Sequence, residues 1–104
     1  MEIDQVIREF KIGIEKLYGK RLKQVILYGS WARNQATEDS DIDLAVVLEG
    51  KIRPGREIDR MIDIITDLNL KHRVLLSVYP VSQEDYEGLH SPRILTLRRE
   101  GIPA

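Results

Sequence analysis

Apolar residues at Ile3, Val6, Ile7, Phe10, Ile14 and Leu17 recur every three or four positions with charges between them, which predicts an amphipathic helix over residues 2–18. Tyr18-Gly19-Lys20 ends it, with Gly19 available for a left-handed C-terminal turn. The pattern then changes. "QVILYGS" (24–30) is a short run of β-forming residues closed by Gly-Ser, and predicts a buried strand. "WARNQA" (31–36) predicts a short helix capped by Ser30, and "EDSD" (38–41) a polar turn. "DIDLAVVLEG" (41–50) reads as a second buried strand. Residues 50–56, "GKIRPGR", hold two glycines, a proline and three basic side chains, the clearest surface loop in the chain.

From Glu57 the positions Ile58, Met61, Ile62, Ile65 and Leu68 predict a second amphipathic helix ending near Leu70. "RVLLSVYPVS" (73–82) reads as a third strand, and Pro80 places it at a sheet edge or close to its end. Ser82 caps a helix start in "QEDYEGL", with Asp85 at the third helical position. "PRILTLRREG" predicts a last short helix, with Pro92 in its first turn and Gly101 as its stop. Helices intervene between strands, so the class is α/β or α+β: a small sheet backed by helices.

Composition narrows what such a fold does. The 104 residues fit a single domain, 1–104, with no repeat, linker or low-complexity segment. Sixteen basic and seventeen acidic residues leave a net charge of −1, which argues against a nucleic-acid footprint and against a general binder of anionic membranes. It leaves room for a small phosphorylated substrate, which needs only a local site. With no cysteine, disulfides and thiolate metal sites are excluded. No apolar run reaches the length of a membrane span, and "MEIDQVIREF" lacks the pattern of a secretion signal. The expectation is a cytoplasmic protein.

The chemistry concentrates in residues 29–43. Asp41 and Asp43 are two apart on a strand, so their side chains share one face at the mouth of a buried run. Two carboxylates so placed repel unless a cation lies between them, and Mg²⁺ is the usual hard cation for oxygen ligands. Gly29 allows close backbone approach to a ligand, Ser30 adds a hydroxyl, and Arg33 follows one turn later. A phosphate cradle facing an Asp-x-Asp metal site is the minimum equipment for nucleotidyl transfer. Other positions carry plainer readings. Arg33 is balanced between a phosphate contact and a surface ion pair with Glu38 or Asp39. Trp31 reads as half-buried packing, His72 as a surface turn residue, and "GKIRPGR" as a solvated loop. His90 carries no signal.

"GSWARNQATEDSDIDL" (29–44) resembles the signature of the minimal nucleotidyltransferases, small members of the DNA polymerase β-like superfamily. That pattern is Gly-Ser, a ten-residue gap, then Asp-x-Asp, matched here by Gly29, Ser30, Ala32, Arg33, Ser40, Asp41, Asp43 and Leu44. The resemblance implies a polymerase beta-like nucleotidyltransferase fold, a mixed sheet with flanking helices. It also implies an NTP substrate, ATP foremost, Mg²⁺ as cofactor, and transfer of a nucleoside monophosphate to a protein or other macromolecule. By position, Gly29 and Ser30 would hold the β/γ-phosphates with Arg33 as a further contact, while Asp41 and Asp43 would be the catalytic metal ligands. The resemblance extends to antitoxin-like domains that pair with a small helical HEPN protein; self-association is a further expectation.

The sequence departs from that pattern at two places. Asn34 stands where glycine is usual, a mild change because Asn tolerates left-handed dihedrals. The third carboxylate of the superfamily, on the next strand, is replaced by Ser77 when Pro80 is aligned with the family's proline; no Asp or Glu lies between Lys71 and Gln83. Serine neither neutralises a cation nor serves as a base at neutral pH. Two readings follow: a transferase, or a nucleotide- and partner-binding module with weak or no catalysis that neutralises a partner by binding it.

Overall fold

Seven-residue strands of β-branched and leucine side chains form the centre of the molecule. The computed structural model describes residues 2–104. Strand β1 (Leu22–Tyr28) pairs antiparallel with β2 (Ile42–Leu48), and β2 pairs parallel with β3 (Leu76–Ser82). A two-residue strand β4 (Ile102–Pro103) lies antiparallel to β1, so the order across the mixed sheet is β3-β2-β1-β4. The parallel pair needs a crossover, supplied by helix α2 (Pro54–His72). Helix α1 (Ile3–Tyr18) precedes the sheet, and α3 (Gln83–Gly88) and α4 (Pro92–Glu100) follow β3.

Alternation along the strands divides the core into two layers. Ile42, Leu44, Val46 and Leu48 of β2 face α1 and α2, where they meet Val6, Phe10, Ile14, Met61, Ile65 and Leu68. Ala45 and Val47 face the other way, towards Ile26, Tyr28 and Val81 of the sheet and Ile94 and Leu97 of α4. β2 is central and covered on both faces, which explains its nearly unbroken apolar run. β3 is an edge strand, where Pro80 costs the ladder nothing on its open side. Ser82 accepts from the Asp85 amide at 3.1 Å, and Ser91 from the Ile94 amide at 3.4 Å, capping α3 and α4. Gly101 follows α4 in extended backbone, and a Cβ there would collide with the Leu97 carbonyl and Ile26.

Several expectations are corrected. "WARNQA" is not a helix: residues 30–34 form one turn, closed by Arg33 N–H to the Gly29 carbonyl (3.1 Å) and Gln35 N–H to the Ser30 carbonyl (2.9 Å). Asn34, at φ +58°, turns the backbone left-handed before a second turn forms, so Ser30 caps no helix. α2 begins at Pro54, inside the expected 50–56 loop, because proline is preorganised for a first helical position. It runs to His72 rather than Leu70. Leu17 and Ile62 are exposed, while Tyr18 and Glu57 are buried in their place. His72 is not a turn residue. With Lys71 it binds Glu9 of α1, and Lys71, then His72, holds the Glu9 carboxyl below the ordinary range.

Tyr18 and Glu57 join α1 to the start of α2: the Tyr18 hydroxyl donates to Glu57 Oε1 at 2.7 Å. Burial, then the carboxylate itself, pushes the phenol pKa up, so the hydroxyl stays a donor. Tyr18→Phe leaves a buried carboxylate short of its partner and is expected to cost about 1–3 kcal/mol. Urea unfolding checks this; an unchanged midpoint would show that Glu57 finds another donor.

Candidate active site

β1 ends at Tyr28, which lies opposite Asp43 in the antiparallel ladder, so the turn that follows is built against the mouth of β2. Gly29 makes that turn at φ +75°, and any Cβ there would run into the Asp43 carboxylate. Glycine is therefore required twice, for its dihedral and for its missing side chain. Ser30 and Trp31 follow. The Trp31 indole donates to the Ser40 carbonyl at 3.3 Å, while its ring packs on the core, the packing role expected of it. Ser40 Oγ accepts from the Thr37 amide at 2.9 Å and pins the polar turn before Asp41. The long gap between Gly-Ser and Asp-x-Asp is thus a folded loop, tied at both ends, that returns the chain to the same sheet edge.

Asp43 is half-buried on the face of β2 that α4 covers; Asp41, of the same parity, is exposed just before the strand. Burial raises the Asp43 pKa most, and the Asp41 carboxylate raises it further; Arg93, Arg33 and the Ser77 hydroxyl act in the opposite sense without cancelling the rise. In the parallel register Asp43 lies beside Ser77. Ser77 therefore occupies the neighbouring position on the same face, where alignment by Pro80 puts the superfamily's third carboxylate. No group of three or more His, Cys, Asp or Glu close enough to share a metal exists among the described residues.

The donor set fits one hard divalent cation held by two carboxylates, with ligand oxygens completing the shell. The raised pKa of Asp43 reflects its burial first and the Asp41 charge second, only partly offset by Arg93 and Arg33. A cation between the carboxylates would screen their repulsion and offset part of the desolvation cost.

Arg33 is drawn aside: Nη1 bonds Glu100 of α4 at 3.2 Å and Nε bonds Gln35 at 3.1 Å. The surface ion pair exists, with Glu100 rather than Glu38 or Asp39. The site also contains residues that the motif does not announce. Arg93, in the first turn of α4, lies over the Tyr79 ring at 3.9 Å and donates to the Tyr28 hydroxyl at 3.4 Å. It is the cation that most lowers the Asp43 pKa. Alternation through "LLSVYP" puts Ser77 and Tyr79 on one face, a signal that would have found Tyr79. Nothing local marks Arg93, fifty residues beyond Asp43. The "GKIRPGR" segment lies after the far end of β2, seven residues or roughly 20 Å along the strand, and takes no part here.

Residues 13–85 match the family model described as polymerase beta, nucleotidyltransferase. The chain belongs to this nucleotidyltransferase family. Two Methanocaldococcus jannaschii proteins, named "Putative protein adenylyltransferase MJ0604" and "Putative protein adenylyltransferase MJ0141", are 37% and 35% identical to it. The first match covers 81% of this chain and 78% of the relative, the second 74% and 77%. The crystal structure of a toxin-antitoxin with AMP-PNP shares the fold with a TM-score of 0.63, over 90% of this chain and 68% of that one, at 14% identity. The polymerase beta-like fold expected from residues 29–44 is the fold observed. No described helix is long and apolar enough to cross a membrane.

Asp43 retains its proton to a higher pH in the folded chain than in the unfolded one. In metal-free protein its contribution to stability is full below the ordinary carboxylate pKa and is lost as pH rises through the raised value. Asp43→Asn should therefore raise the urea midpoint at neutral pH, with the advantage disappearing in acid. A midpoint at neutral pH equal to or below that of the natural sequence would contradict the electrostatics described.

Proposed function

We propose that this chain transfers a nucleoside monophosphate, AMP from ATP, to a hydroxyl of a protein acceptor, using Mg²⁺ held by Asp41 and Asp43. The observation that carries this reading is the packing of Gly29 against Asp43, which brings the Gly-Ser turn and the carboxylate pair side by side. In this reading the backbone N–H groups and hydroxyl at Gly29 and Ser30 bind the β- and γ-phosphates, and no side chain at position 29 obstructs them. The bound cation would neutralise developing charge on the phosphates. The acceptor oxygen bonds to the α-phosphorus, the bond to pyrophosphate breaks, and Arg93 adds positive charge on the side of α4. Arg33, where released from Glu100, is a further phosphate contact.

Similarity to the two proteins named as adenylyltransferases supports AMP as the group transferred. The fold shared with a toxin-antitoxin carrying AMP-PNP supports a nucleotide ligand and a toxin as acceptor or partner. We assign a HEPN-type helical protein as that partner on the resemblance of residues 29–44 to minimal nucleotidyltransferases.

Ser77 shapes the kinetics. With no fixed carboxylate beside Asp43 on β3, the acceptor proton passes to solvent, and transfer is slow. A missing general base costs ~10²–10⁴ in rate. This residue also motivates the second reading, a module that binds nucleotide and partner and neutralises the partner without modifying it.

The test is incubation with α-labelled ATP, Mg²⁺ and a HEPN partner, followed by detection of label on protein. Label should appear, should vanish in Asp41→Ala and Asp43→Ala, and should form ~10²-fold or more faster in Ser77→Asp. No label with the natural chain or with Ser77→Asp, in a protein that still binds Mg-ATP and the partner, would leave the binding module as the function.

A further inference from the structure

The loop read as solvated, with the helix start that follows it, holds a cluster of positive charge. Arg21, Lys51, Arg53, Arg56 and Arg60 line a depression of about 420 Å³ at the end of the sheet remote from Asp43. Its remaining walls are Ile52 and the buried Glu57, whose carboxylate is engaged by Tyr18. Although the chain has seventeen acidic residues, no carboxylate among the described residues comes within ion-pair distance of any of these five cations. The one ion pair nearby, Lys23 with Glu49 at 3.7 Å, leaves them out. Arg21 is held in place by its Nε bond to the Glu49 carbonyl at 3.2 Å and by its guanidinium over the Tyr18 ring at 5.7 Å.

Five like charges around one concavity repel one another, and the positive end of the α2 dipole lies among them. In a chain of net charge −1 this is local enrichment, not general basicity. We propose that the depression is a second ligand site, for a small anion bearing two or more phosphate groups, separate from the Asp41–Asp43 cleft and independent of the transferase reading.

Four of the five cations are arginines, whose planar forks match phosphate oxygens in pairs. The volume is that of a small-molecule site. A nucleic-acid strand fits less well. The nearest ring, Tyr18, is buried beneath Arg21 and offers little face for a base.

The phosphate chemistry could come from free oligophosphate or from a nucleotide, and amide NMR titrations without divalent metal separate the two. Sodium tripolyphosphate should shift the amides of Lys51, Arg53, Gly55, Arg56 and Glu57, with an affinity that falls steeply with salt. Arg53→Ala with Arg56→Ala should weaken binding at least ~10-fold by removing two charge-assisted contacts. Both residues are exposed, so the variant's amide spectrum should otherwise match that of the folded natural chain. Equal shifts with ATP assign the site to nucleotides; shifts with tripolyphosphate alone assign it to free oligophosphate. The proposal is overturned by an absence of shifts in residues 51–57, by shifts confined to Gly29–Arg33, or by unchanged affinity in the double variant. It is equally overturned if the depression takes only single-stranded RNA or an acidic peptide.

Discussion

Two carboxylates at the mouth of a central strand, one of them half-buried, set the constraint around which the rest is arranged. Asp43 cannot be moved outward, because β2 is fixed by strands on both sides and by apolar layers on both faces. Gly29, packed directly against its carboxylate, offers no side chain to relieve it. Arg93 and Arg33 offset the charge only in part, so the Asp43 pKa stays raised. In the proposed reading a cation completes the charge balance of the site, and the cost of the half-buried carboxylate falls on the metal-free state.

Glycine at 29 and serine at 77 act on the same carboxylate from two sides. From the turn after β1, the absence of a side chain leaves room for the Asp43 carboxylate itself, which lies where a Cβ would stand. From β3, a short hydroxyl fills the position beside it without adding charge. In the proposed reading, a side chain at position 29 would displace that carboxylate, whereas Ser77 sets the rate of transfer. In that reading binding and turnover depend on different strands of the sheet, and family membership alone does not decide between modification and neutralisation by binding.

The part of the site visible in the sequence is the part that is contiguous. Gly29, Ser30, Asp41 and Asp43 lie on one strand-loop-strand unit, and alternation alone puts both carboxylates on one face. The strands and the major helices were equally legible, because their apolar periods are long and each faces one layer of core. What escaped was set by tertiary contact. Arg93 reaches the site only because Ile94 and Leu97 seat α4 on the sheet. Glu100 claims Arg33 through the same packing. β4 is two residues long and exists only as an edge pairing to β1, beyond the reach of any local pattern. Pro54 and Gly55 read as loop because both residues break structure in isolation, whereas proline in a first helical turn starts it.

The central claim is that the Gly29-Ser30 turn and the Asp41–Asp43 pair bind one metal–triphosphate unit. Manganese(II) in place of magnesium, added with AMP-PNP and followed by paramagnetic broadening of backbone amides, tests it without requiring turnover or a partner. Broadening centred on Gly29–Trp31, Asp41–Asp43 and Ser77, and absent in Asp43→Ala, is the expected result. Broadening centred elsewhere, or undiminished in that variant, would contradict it.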